Sequence, residues 1–240
     1  MSVQPYRKTA AIYKGRVPAG ALQTEEEMDT RDHNQATVRG RVVTPCTYQY
    51  EAYGDTFYGM EVAVERLSGY IDRIPLVMSA CLRDPLMDYP GYMVQATGQY
   101  RSYNRNKHTE QFVFVRDLQI LDMAFPMGKG NDNNKVVLDG YICKQPIYRR
   151  TPLGRKLAEM LVAVNRQFGR SDYIPCICWG TNAMRAAALA VGSHVLLEGR
   201  IQSREYQKRT EGYGMELRTA YEVSVGKLEY LAGTHRIREA

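Results

Sequence analysis

Beyond about Val38 the chain runs in short stretches of strand-favouring residues broken by Gly, Pro, Asn and Asp, and within them apolar and polar positions tend to alternate. That punctuation predicts regularly spaced strands and an all-β fold. In the C-terminal half, Lys135 to Cys143 predicts a first strand, Leu157 to Arg166 a long second one and Tyr173 to Trp179 a third. Thr181 to Leu189 is dominated by alanine and predicts a helix that Thr181 or Asn182 can cap. Strands resume from His194 to Tyr206, and a last one runs from about Thr219 to Leu231.

The pattern occurs twice. Val62-Ala63-Val64-Glu65-Arg66 answers Val162-Ala163-Val164-Asn165-Arg166, and each is followed by an Asp-x-Ile-Pro step at Asp72 or Asp172. Gly40, Pro45, Gly98 and Ser102 likewise answer Gly140, Pro146, Gly199 and Ser203. Two units of about 100 residues from one duplication follow. Three strands, a helix and two strands is the order of an oligonucleotide/oligosaccharide-binding (OB) barrel. The expected fold is therefore all-β, with two tandem OB-fold (five-stranded Greek-key) barrels, the second with a short helix between strands 3 and 4. In the first copy the helix slot, Cys81 to Pro90, contains Pro85 and Pro90, which would shorten or disrupt a helix. The expected organisation is an extension over 1–36, with the acidic run Glu25 to Glu27, and a first barrel over 37–124. A turn-rich linker over 125–134, a second barrel over 135–232 and a short basic tail over 233–240 complete it.

Alternation assigns faces. In Tyr173 to Trp179, Ile174, Cys176 and Cys178 suit the interior, which turns Tyr173 and Trp179 outward. In Gly199 to Tyr206, Ile201 points in, so Arg200, Gln202, Arg204 and Tyr206 point out. Aromatic rings interleaved with guanidinium groups match what a single nucleic-acid strand requires: cations for phosphates and flat π surfaces for unstacked bases. Arg149-Arg150 and Lys208-Arg209 fall in expected hairpin loops flanking the same groove, where they could reach phosphates.

Charge sharpens this asymmetry. Residues 1–133 carry 15 Lys and Arg against 16 Asp and Glu, and residues 134–240 carry 17 against 10, so the basic excess belongs to the second copy. A polyanion would be drawn there first, with salt-dependent binding. The five cysteines form no CxxC pair and the four histidines are scattered, so neither a metal nor a cofactor is expected. No nucleophile–base pair, metal cluster or phosphate loop points to an enzyme. Asp72 and Asp172 read as turn or strand-start residues. With no long apolar run and no hydrophobic leader, membrane insertion is not expected and a cytoplasmic protein is.

Val136 to Gly140, Pro146, Thr151 to Gly154, Leu161 to Arg166, Tyr173 to Trp179 and Gly199 to Tyr206 together resemble the bacterial single-stranded DNA-binding protein family. The resemblance implies base stacking on Phe168, Tyr173, Trp179 and Tyr206, with Arg149, Arg150, Arg166, Arg200, Gln202, Arg204 and Lys208 beside them. The first-copy equivalents of the four rings are Ser68, Arg73, Ser79 and Arg105, so that copy reads as a weakened platform; Tyr70, Arg101, Tyr103 and Arg105 are its candidates. The resemblance further implies roles in replication, repair or recombination near the nucleoid, and a homodimer supplying four barrels. Recruitment of partners through an acidic C-terminal tip is not expected of Thr234 to Ala240. Nothing in the pattern separates DNA from RNA. A second reading of the same barrels is a primosome-like interaction or assembly factor with weak or no DNA binding.

Overall fold

In the computed structural model, residues 33–105, 108–121, 133–166, 169–209 and 214–231 are described. The first set of strands is β1 (Asn34–Val42), β2 (Thr47–Ala52), β3 (Asp55–Glu65), β4 (Ile71–Ser79), β5 (Met93–Arg105) and β6 (His108–Leu121). The second set is β7 (Asn134–Ile142), β8 (Ile147–Arg150), β9 (Lys156–Asn165), β10 (Ser171–Trp179), β11 (His194–Arg209) and β12 (Met215–Tyr230), with helix α1 (Gly180–Ala187) after β10. Five strands close each barrel in the ring β1-β3-β4-β6-β5 or its repeat β7-β9-β10-β12-β11. One contact in each ring is parallel, Leu76 with Val113 or Cys176 with Val223, and the rest are antiparallel. β2 and β8 are short sixth strands that fold back onto β3 and β9 as hairpins.

The interiors are built from equivalent positions. Val38, Val62, Val64, Ile74, Leu76 and Val113 are buried in one, and Leu138, Val162, Val164, Ile174, Cys176 and Val223 in the other. Tyr100 occupies the place of Ile201, and its buried hydroxyl donates to Gln111 Oε1 at 2.6 Å, which satisfies the one polar atom that the larger side chain introduces. The repeated Gly98 and Gly199 have a steric cause. A Cβ there would lie 2.0 Å from the Phe114 carbonyl oxygen or 2.4 Å from that of Ser224. The strand register shifts at the same places, so these glycines permit the bulges that bend β5 and β11 around the barrel.

The barrels join along an approximate two-fold axis. β1 and β7 pair antiparallel with Ala36 opposite Val136, which makes one twelve-stranded sheet of both barrels. A reciprocal clamp lies on either side. Asp72 accepts from Arg66 Nε and Nη2 at 2.7 and 2.6 Å, and from the Ser203 backbone N–H of the other barrel at 2.6 Å. Asp172 does the same for Arg166 and, at 2.6 Å, for the Ser102 N–H. Each arginine also reaches the opposite serine's carbonyl, at 2.9 Å for Ser203 and 3.1 Å for Ser102. Both aspartates are 1% exposed. Both aspartates stand at the start of their strands, at the second residue of β4 and of β10, and their recurrence also reports an inter-barrel joint, because the acceptors are buried where the serine N–H groups have lost water.

Several local expectations change. β1 starts at Asn34, inside the expected extension, because Asn34 is buried and exchanges hydrogen bonds with Tyr100 N and O. Asn134 does the same with Ile201 and so opens β7 rather than ending a linker. α1 has no side-chain cap: Gly180, at φ +59°, turns the chain so sharply out of β10 that Thr181 already lies within the helix. Asn182 instead donates to the Gly226 carbonyl at 2.9 Å and fastens the helix to β12. In the first barrel the slot's helical part shrinks to the 3₁₀ turn Ala80–Leu82, followed by a turn in which Met87 N–H donates to the Asp84 carbonyl, as its prolines predict.

Candidate nucleic-acid interface

Alternation along β10 places Ile174, Cys176 and Cys178 inside and leaves Tyr173 and Trp179 outside, 48% and 40% exposed. Burial pushes the Cys178 thiol up to about 12, in keeping with a core role. On β11, Ile201 and Ser203 face inward, while Arg200, Gln202, Arg204 and Tyr206 face outward, the last 36% exposed. The Arg204 guanidinium lies 5.9 Å from the Tyr206 ring centroid. With the Gln202 amide oriented to accept, Arg200 Nε and Nη2 sit 2.8 and 2.9 Å from its oxygen.

Register connects the two strands across β12. Arg200 stands opposite Ser224, which stands opposite Ile177, so the outward row of β11 and that of β10 belong to one side of the barrel. Tyr206 pairs with Arg218, at the end away from Trp179, so the rings are spread along the face rather than clustered. Glu222, opposite Gln202, shares this face. Burial holds its carboxyl above the usual range, with Arg204 opposing and Glu159 adding to the shift. Glu222 escapes detection by sequence reasoning because it interrupts a basic pattern.

Arg149 and Arg150 lie on β8, not in a loop, because the turn at Thr151–Gly154 folds this short strand back onto β9. Lys208 likewise lies on β11, which extends to Arg209 opposite Met215 as one arm of a long hairpin. Arg149 is 3.4 Å from Glu159. Arg166 is held in the inter-barrel clamp, so its hydrogen-bonding capacity serves the joint. Phe168 lies outside the described residues. In the first barrel, Tyr70 packs under the Arg66 guanidinium, 4.4 Å from centroid to Cζ. Arg101 and Tyr103 face outward on β5, where the Arg105 backbone also runs. The described residues contain no group of three or more His, Cys, Asp or Glu positioned for a metal ion, and no helix long and apolar enough to cross a membrane.

A family model, the single-strand binding protein family, matches residues 133–231. The match covers the second barrel, from the start of β7 to the end of β12. Over 81 aligned residues the chain is 41% identical to single-stranded DNA-binding protein 2 of Listeria innocua, covering 31% of this chain and 51% of that protein. Single-stranded DNA-binding protein A of Bacillus subtilis is 37% identical over 83 residues, 32% of this chain and 48% of that protein. The chain thus spans about half the length of the curated relatives it matches. The two-barrel fold is shared more widely. The wild-type single-stranded DNA binding protein from Thermus aquaticus superimposes with a TM-score of 0.66 at 20% identity, covering 83% of this chain and 93% of that one. A deletion mutant of the same protein covers 86% of this chain and 98% of that one with a TM-score of 0.65.

Proposed function

We propose that the chain binds single-stranded DNA with little sequence preference, by stacking bases on Tyr173, Trp179 and Tyr206 while Arg200, Arg204 and Lys208 neutralise phosphates. The observation that carries this reading is the outward face of the second barrel. Exposed rings and guanidinium groups share one side of a barrel whose interior is closed by Ile174, Cys176 and Ile201. Stacking without base-edge readout tolerates any sequence, and each stacked base contributes on the order of 1–3 kcal/mol. The chain acts by binding, not catalysis, in DNA replication, repair or recombination in the cytoplasm, with residues 34–121 and 134–230 as its two barrel domains. Two copies would supply four barrels in a homodimer, which sedimentation of the free chain tests.

The deciding experiment is a titration of fluorescein-labelled oligo-dT with the wild type and with the Trp179→Ala, Tyr206→Ala double variant. Loss of two stacks raises Kd by at least about tenfold. A folded double variant with wild-type affinity refutes the reading. Oligo-U in parallel reports whether the sugar matters.

A further inference from the structure

The outward faces of the two barrels hold the same kinds of side chain at exchanged positions. Trp179 stands opposite Leu157 in the ladder, and the equivalent rung of the first barrel pairs Ser79 with Phe57. The ring missing at Ser79 has moved to the neighbouring strand. Tyr50 stacks on Phe57, with centroids 4.9 Å apart and planes 26° from parallel. Through its partner Phe57, Tyr50 takes the place that Arg149 holds opposite Leu157. The pair Arg200 and Gln202 becomes Gln99 and Arg101, again bonded to each other, Nη2 to Oε1 at 2.8 Å. Tyr173 is replaced by Arg73, while Arg204 is replaced by Tyr103. Erosion of a binding surface would lose rings and cations together; here both are kept and redistributed.

The relocated groups form one neighbourhood. The Arg101 guanidinium lies 3.9 Å from the centroid of Phe114, which itself sits 5.8 Å from Phe57. Tyr50, 39% exposed, covers Phe57 with one face and is close enough to Arg101, Arg166 and Tyr103 for their charges to act on its hydroxyl. Partial burial and the positive charge of Arg166 lower the Arg101 pKa, with Asp172 opposing the shift. The patch is also continuous with the second barrel. Tyr173 N–H donates to Ser102 Oγ at 2.8 Å, and the next residue along β5 is Tyr103, 59% exposed.

We propose that the first barrel carries its own strand-binding platform, built on Tyr50, Arg101 and Tyr103, onto which a single DNA strand passes from Tyr173 across the Ser102 joint. This rests on the function proposed above and extends it to a surface whose rings, Tyr50 and Tyr103, stand where the second barrel has Arg149 and Arg204. Guanidinium groups between rings suit phosphates between stacked bases.

The test uses the full chain and two oligo-dT lengths, about 8 nucleotides, which one barrel accommodates, and about 35, which spans both. The Tyr50→Ala, Tyr103→Ala variant is expected to bind the long oligonucleotide roughly tenfold more weakly than wild type and the short one within about twofold. An unchanged Kd for the long oligonucleotide in the folded variant overturns the proposal, including when the patch instead serves a protein partner. Photocross-linking of a 5-iodouracil-substituted 35-mer to the unaltered chain decides the matter even where the variant folds poorly. Cross-linked peptides containing β2 or β5 are expected, and cross-links confined to 133–231 overturn the proposal whatever the variant does. If the Trp179, Tyr206 variant loses affinity and the Tyr50, Tyr103 variant does not, only the present inference falls. If the wild type binds neither oligonucleotide, both readings fall.

Discussion

Replacing Asp172 by alanine tests the joint between the barrels. The carboxylate is 1% exposed and accepts from Arg166 Nε at 2.6 Å, from Arg166 Nη2 and from the Ser102 N–H at 2.6 Å. Arg166 is 26% exposed and recovers part of its hydration when released. Ser102 is buried in the other barrel, so its N–H loses its acceptor at a cost of about 1–3 kcal/mol. Allowing for the released arginine, the total is about 2–4 kcal/mol, below the upper end for a fully buried pair broken on one side. For a fold of this size each kcal/mol corresponds to about 2–4 °C, so calorimetry of Asp172→Ala is expected to show Tm lower by about 5–15 °C. Asp72→Ala should cost a similar amount because Ser203, Arg66 and Asp72 repeat the geometry. The double variant should cost less than the sum, since one opened joint already releases both sides. A Tm within about 2 °C of wild type for Asp172→Ala refutes this account of the buried carboxylate.

Glu222→Gln addresses the one carboxylate opposite Gln202 on the proposed DNA face. An acid whose pKa is raised in the fold binds its proton more firmly folded than unfolded, so its ionisation costs stability as pH climbs from the ordinary glutamate value through the raised one. Glu222→Gln removes that penalty and a repulsion toward phosphate; oligo-dT affinity at pH 7 should rise about two- to fivefold, narrowing toward pH 5, as anisotropy titrations would show. Arg204→Ala should flatten the slope of log K against log salt by about one, read from a salt series on the same oligonucleotide. Alkylation at pH 8 followed by peptide mapping should label exposed Cys81 quickly and leave Cys176 and Cys178 unmodified until denaturant is added, since burial raises both core thiols.

The faces of β10 and β11 are legible in the chain because side chains alternate with a fixed period of two, and one buried residue such as Ile174 or Ile201 orients every neighbour. Hairpin ends are less legible. Ile147–Arg150 is too short to announce itself as a strand, and β11 and β12 extend beyond the apolar pattern on cross-strand pairs such as Lys208 with Glu216. Arg166 shows a different limit. Its type and position suit a phosphate ligand, yet a carboxylate six residues on and a serine carbonyl 64 residues away take up its donors.

By itself the sequence determined the two OB barrels, the inward residues of β10 and of β11 in the second, the asymmetry of charge, and the ring-bearing face of the second barrel, all of which follow from local periodicity and from comparing one copy with the other. Only the tertiary structure decided that Asp72 and Asp172 lock the barrels through Ser203 and Ser102, and that Tyr50, Phe57, Phe114 and Arg101 meet. Cross-strand and inter-barrel neighbours are set by register and by the two-fold joint, and residues on adjacent strands can exchange roles without leaving any mark at an aligned position.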